Sequence, residues 1–119
     1  MAKNYENLEA WKESIEVAII IYRLTKNFPK DELYGLTSQI RRSAVSISNN
    51  IAEGAGRSSK EEFKRFLNIS LGSLNETESL LFLALKLDYL DKDNFELLKE
   101  KIKNVGNLIG GLRKYLINK

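Results

Sequence analysis

Residues 93–116 read DNFELLKEKIKNVGNLIGGLRKYL, and within them Phe95, Leu98, Ile102, Val105, Ile109, Leu112 and Leu116 recur at alternating steps of three and four. That spacing places the seven side chains along one face of an α-helix, at the a and d positions of a heptad. A strand would alternate with a period of two. A helix with one continuous apolar edge cannot stand alone in water, so other helices must cover it. Asp93, with Glu96 three residues on, is the expected start.

Upstream, Ser58-Ser59-Lys60-Glu61-Glu62 contains two overlapping capping boxes, Ser58 with Glu61 and Ser59 with Glu62. A third helix is expected to start there, with Phe63, Phe66, Leu67, Leu71, Leu74, Leu81 and Leu85 as its core face. It should end near Leu87, before the turn at Asp88-Tyr89-Leu90-Asp91. Before it, Leu33, Leu36, Ile40, Ala44, Ile47 and Ile51 form the stripe of a second helix that starts after Pro29 and stops at Gly54-Ala55-Gly56. The first helix is expected from an Asn7 N-cap to about Lys26, on Leu8, Trp11, Ile15, Ala18 or Ile19, and Tyr22. Val17, Ile20, Ile21 and Leu24 widen its apolar surface beyond one stripe, which implies a deep position or a second partner. Three short connections favour antiparallel neighbours. The chain therefore reads as all-α, a single domain over residues 1–119 built as an antiparallel up-down-up-down four-helix bundle.

Composition narrows the chemistry. The 119 residues hold no cysteine and no histidine. This excludes disulfides, thiolate metal sites and every Ser-His-Asp arrangement, together with the Glu-x-x-His di-iron motif of helix bundles. Glu53, Glu76 and Glu78 lack a visible base, nucleophile or metal partner, so no enzyme, cofactor or metal site is expected and no catalytic residue is nominated. The segment Gly54 to Lys60 follows a helix and lacks the Gly-Lys-Ser/Thr ending, so it reads as a C-cap joined to an N-cap and not as a phosphate loop. No apolar run approaches the roughly 20 residues of a membrane span. Nor does the start at Met1 have the apolar core of a signal peptide, so a cytoplasmic, non-membrane protein is expected.

Three features are candidates for function. On the second helix, opposite its apolar stripe, Gln39, Arg42, Ser46, Asn49 and Glu53 repeat at steps of three and four. This polar seam is either a solvated face or a contact surface such as an oligomer interface. Ser43, Ser46, Ser48, Asn49 and Asn50 are poor helix formers, which calls for some compensating contact. Gly72, Gly106, Gly110 and Gly111 fall inside expected helices, at a cost of about 1 kcal/mol each relative to alanine. Close approach of another helix, from the bundle or from another subunit, is the favoured reason, with a kink at Gly110-Gly111 the alternative. Finally, Arg41, Arg42, Arg57, Lys60, Lys64 and Arg65 cluster around the second connection. Lys99, Lys101, Lys103, Arg113, Lys114 and Lys119 are scattered along the last helix. The net charge of +3 is small, but a closed oligomer would repeat each patch and build a field for phosphates.

Several stretches resemble a known family, the small four-helix bundle proteins encoded in intervening sequences of bacterial 23S rRNA genes and long labelled ribosomal-protein-like. The similarity is carried by Phe28-Pro29 with Glu32, Tyr34-Gly35-Leu36, Gln39 to Ile47, Asn50-Ile51-Ala52-Glu53-Gly54 and Gly56-Arg57. Phe63, Arg65-Phe66-Leu67 and Gly72-Ser73-Leu74 with Glu76 continue it. Ser48 stands where similar chains often carry proline, so the second helix is expected to run straighter there. The resemblance implies an antiparallel bundle assembled into a homo-oligomeric ring, a pentamer. It extends to the accessory proteins of diversity-generating retroelements, which bind nucleic acid.

The resulting expectation is a non-catalytic homo-oligomer that binds structured RNA such as rRNA, or DNA, through phosphate contacts from Arg41, Arg42, Arg57, Lys60, Lys64 and Arg65. With one tryptophan and scattered tyrosines, recognition would rest on charge and shape. The alternative is a protein-interaction scaffold that presents its first helix to a partner such as a polymerase.

Overall fold

The computed structural model describes residues 5–118. Met1–Asn4 lie outside them, as does Lys119, one of the basic residues noted above. Four helices follow in order, α1 (Glu9–Thr25), α2 (Leu36–Ala55), α3 (Lys60–Lys86) and α4 (Lys92–Ile117), with 3-10 turns at Tyr5–Asn7 and Lys30–Glu32. No strand occurs among the described residues. α1 packs on α2, α2 on α3, α3 on α4 and α4 back on α1, while the backbones of diagonal helices stay apart among the described residues. This closed square of successive antiparallel neighbours is the expected up-down-up-down bundle.

The heptad stripe of α4 lies in the core: Phe95, Leu98, Ile102, Val105, Ile109 and Leu116 are buried, with Leu112 packed against them. Leu36, Ile40, Ala44, Ile47 and Ile51 of α2 meet it, with Phe63, Leu67, Leu74 and Leu81 of α3. Leu33 is a correction. It lies in the turn before α2 and is about half exposed, because α2 begins only at Leu36.

α1 is turned differently from the expected stripe. Its buried residues are Ala10, Ser14, Val17, Ala18, Ile21 and Thr25, while Leu8, Trp11, Ile15 and Ile19 are only partly buried and Tyr22 is exposed. The helix carries two overlapping apolar stripes, and packing selects the one containing small Ala10 and Ser14, which lets neighbouring helices come close.

The caps also shift. Leu8, not Asn7, is the α1 N-cap, with no side-chain hydrogen bond, because Asn7 is drawn into the 3-10 turn. Of the two boxes before α3, Ser59 is used: its Oγ accepts from the Glu62 N–H at 3.1 Å. α4 starts one residue before Asp93, and Asp91 caps it by accepting from the Asn94 N–H at 2.7 Å. α3 ends with Asp88 at φ 63°. There the Tyr89 N–H bonds to the Ala84 carbonyl and the Asp88 N–H to that of Leu85, a Schellman closure.

The Glu32 carboxylate ties one end of the bundle. One oxygen accepts from the Leu36 N–H at the start of α2 (3.1 Å), the other from the Tyr89 hydroxyl (3.0 Å). A side chain at Gly35 would place its Cβ 2.8 Å from the carboxylate oxygen that caps α2, so the Glu32 side chain would have to shift to admit it.

Candidate nucleic-acid interface

The serines of α2 are largely absorbed by α3. The hydroxyls of Ser46 and Ser73 are hydrogen-bonded at 2.8 Å, Thr77 donates to Ser43 (2.8 Å), and Ser70 donates to the Ile47 carbonyl (2.8 Å). Ser48 is buried and donates to the Val45 carbonyl within an unbroken α2. Small residues let the two helices approach, and every buried side-chain polar atom among the described residues has a partner. Ser46 therefore leaves the polar seam in part, because the α2–α3 contact turns its hydroxyl inward. Gln39, Arg42, Asn49 and Glu53 remain exposed.

Of the four mid-helix glycines, only Gly106 is pressed by the bundle, where an added Cβ would lie 3.2 Å from Leu74 Cδ2. Around Gly72, Gly110 and Gly111 such an atom would meet nothing within 4 Å. Close approach within the chain does not account for these three, and α4 continues through Gly110-Gly111. The tightest approach between two helices is at Gly54, at the end of α2. There an added Cβ would come within 2.8 Å of Phe66 Cβ and 2.9 Å of Phe63 Cδ1.

The six basic residues do not share one patch. Arg41 turns inward: its Nε donates to Thr25 Oγ1 (2.9 Å), another nitrogen reaches the Tyr22 carbonyl (3.3 Å), and the guanidinium covers the Tyr22 ring. Arg42 is exposed and has no ion pair among the described residues, but it stands about 20 Å along α2 from the Arg57 end, at 1.5 Å per residue. The other four gather at that end. Arg57 pairs with Glu53 (2.6 Å), Lys64 with Glu61 (2.8 Å) and Arg65 with Glu62 (3.2 Å). Lys60 has no ion pair among the described residues. Counting Glu53, four cations meet three carboxylates there, which leaves one net positive charge.

Phe66, read from sequence as a core residue, is half-buried between two guanidiniums. Those of Arg57 and Arg65 sit 4.8 and 4.6 Å from its ring centre. These cation–π contacts hold both arginines at the surface. Arg65 donates two hydrogen bonds to Glu62; they hold that carboxyl below its ordinary value of 4.5 and raise the arginine in turn. The three-residue spacing of Glu62 and Arg65 could have shown this pairing in the sequence.

Beside this cluster, Leu8, Phe63, Leu112 and Leu116 floor a groove of about 320 Å³ whose rim is Arg57, Ser58, Ser59, Lys60 and Tyr115. It lies at the amino end of the 27-residue α3, where free N–H groups and the helix dipole favour an anion. On the outer face of α1, Ile15, Ala18, Ile19 and Tyr22 line an apolar groove edged by Arg23 and Lys26. The described residues contain no group of three or more potential metal ligands, and none of their helices is long and apolar enough to cross a membrane.

Comparison with known proteins agrees with the fold. A family model described as "23S rRNA-intervening sequence protein" matches residues 6–111. A solved structure from Bacteroides thetaiotaomicron, described as a protein of unknown function from the S23 ribosomal protein family, is similar at a TM-score of 0.82. The two are 29% identical over 96% of this chain and 99% of the other. No curated protein matches significantly.

Proposed function

Because the chain belongs to the 23S rRNA-intervening sequence protein family, we propose that it is a non-catalytic, homo-oligomeric protein that binds structured RNA, or DNA, through phosphate contacts. The observation that carries this is the groove at the α2–α3 corner. It combines exposed Arg57 and Lys60, the Ser58 and Ser59 hydroxyls and the amino end of α3. Arg65 and Lys64 flank it, and the Phe66 ring keeps Arg57 and Arg65 at the surface. One net charge per chain is weak by itself. A ring, a pentamer in the family resemblance, would present every copy of this corner on one rim and multiply the field. Arg41 is occupied by its bonds to α1 and contributes little to such contacts.

The absence of histidine and cysteine supports a binding role over a catalytic one. A bacterial cytoplasmic location belongs to the same proposal, since that is where rRNA would be met. The apolar groove on α1 favours a second reading, a scaffold that holds a protein such as a polymerase.

The test is binding of the purified protein to labelled rRNA-derived hairpins and to unrelated duplex DNA across a salt series, with oligomer mass recorded alongside. Phosphate binding predicts an affinity that falls steeply with salt, with a log–log slope of about −0.7 to −0.9 per contact. Lys60→Glu, which breaks no ion pair among the described residues, should weaken binding at least tenfold. Absence of binding at low salt would overturn the proposal and turn the search to protein partners.

A further inference from the structure

Two exposed surfaces that neither the core nor the basic corner uses are complementary to each other. The first runs across α1 and α2. The apolar groove of Ile15, Ala18, Ile19 and Tyr22 continues past Tyr22 into a second groove lined by Arg42, Val45, Ser46 and Asn49. Its exposed cations, Arg23, Lys26 and Arg42, have no ion pairs among the described residues. The second is the outward edge of α3. Ile69, Gly72, Glu76, Leu83 and Leu87 fall on one helical stripe. Ile69, Leu83 and Leu87 are 41%, 46% and 44% exposed, large values for apolar side chains inside a bundle helix or at its end. Glu76 is exposed without an ion pair among the described residues, and the space beside Gly72 is open to 4 Å.

The two surfaces match in charge and in height. Hydrogen bonds from Thr77 to Ser43 and between Ser73 and Ser46 fix the register of α3 against α2. Glu76 adjoins Thr77 and Arg42 adjoins Ser43, so the carboxylate and the guanidinium stand at about the same level along the bundle axis. The Tyr89–Glu32 bond places the α3–α4 turn, with Asp88 and Asp91, at the same end as Arg23 and Lys26. Rotation about an axis parallel to the bundle moves each copy sideways without changing its height. It would bring Glu76 of one copy to the level of Arg42 of the next, and Asp88 and Asp91 towards the level of Arg23 and Lys26.

We infer that the α3 edge of one copy docks on the α1–α2 face of a second copy, with Glu76 against Arg42 and Ile69 covered by the apolar groove. The inference rests on the oligomeric reading above and names its contact. Because two different surfaces meet, the interface is heterologous and each copy has one free surface to pass on. Such contacts close into a ring when the rotation between copies divides a full turn. Open space at Gly72 lets the neighbouring helices approach at the middle of the contact. Arg42 then belongs to the subunit contact and leaves the phosphate-binding set.

The experiment is sedimentation velocity on the full chain and on Arg42→Glu, Glu76→Arg and the double charge swap, with helical circular dichroism as the folding control. Neither side chain makes a hydrogen bond or ion pair among the described residues, so all three variants should stay helical. The wild type should sediment as an oligomer. Each single reversal should weaken assembly at least tenfold, and the double swap should restore it. Ile69→Lys should also disrupt assembly, by an independent route. An oligomeric wild type whose mass is unchanged by the single reversals, or a double swap no better than either, overturns this interface and leaves the oligomeric reading standing. A wild type that is monomeric at every concentration overturns both.

Discussion

Gly54→Ala should destabilise the protein although alanine is the better helix former. The added methyl would stand 2.8 Å from Phe66 Cβ, 2.9 Å from Phe63 Cδ1 and 3.3 Å from the Phe63 carbonyl oxygen. Two of these atoms belong to or adjoin the α3 main chain and Phe63 is buried, so rotating one side chain cannot make room. α3 must move away from α2, which loosens the largest helix contact in the bundle. Overpacking of this kind costs about 1–3 kcal/mol. The gain in helix propensity is at most about 1 kcal/mol, and less here because Ala55 ends the helix. A net loss of about 1–2 kcal/mol follows. Gly111→Ala is the control: its methyl meets nothing within 4 Å, so it should gain up to about 1 kcal/mol. At about 3–5 °C per kcal/mol for a chain of this size, the two variants should melt on opposite sides of the wild type. The assay is urea and thermal unfolding followed by circular dichroism at one fixed protein concentration, since assembly would make the apparent stability concentration-dependent. A Gly54→Ala protein as stable as wild type would refute the idea that glycine sets the α2–α3 distance.

Two further substitutions probe the polar contacts. Tyr89 is held above its ordinary value of 10.0 by its hydrogen bond to Glu32. A raised folded-state value means that the bond's stabilisation is complete below pH 10 and is lost as pH rises through that higher value; Tyr89→Phe should lower the unfolding midpoint at neutral pH and flatten its decline above pH 10, and an unchanged pH profile would count against the clasp. Thr77→Val removes a buried hydroxyl bonded to Ser43 and to the Ser73 carbonyl; it should cost about 1 kcal/mol, and less than an additive further amount when combined with Ser43→Ala, so strict additivity in the cycle would argue that the two hydroxyls are not coupled.

Much of the candidate site was hidden from the sequence for one physical reason. Arg41 and Arg42 are neighbours in the chain but point in different directions on a helix, one into the α1 carboxyl end and the other to solvent. Arg57, Lys64 and Arg65 read as free positive charge in sequence, yet each has a carboxylate three or four residues away. Periodicity marks those pairs as possible, and only side-chain geometry shows that they form. The stacking of Phe66 between two arginines depends on the α2–α3 corner and has no signal in spacing.

Sequence alone determined the four helices, their order and the buried stripes of α2, α3 and α4, because each of these has one dominant apolar face. Burying any other face would leave charged groups without water. α1 offers two apolar stripes, so its own residues leave the choice open. Tertiary structure decided it by packing the face with Ala10, Ser14 and Val17 inward and leaving Ile15, Ile19 and Tyr22 to the outside. The same holds for the α2 serines and for Gly54: local propensity marks them as costs, and the closeness of α3 is what offsets them.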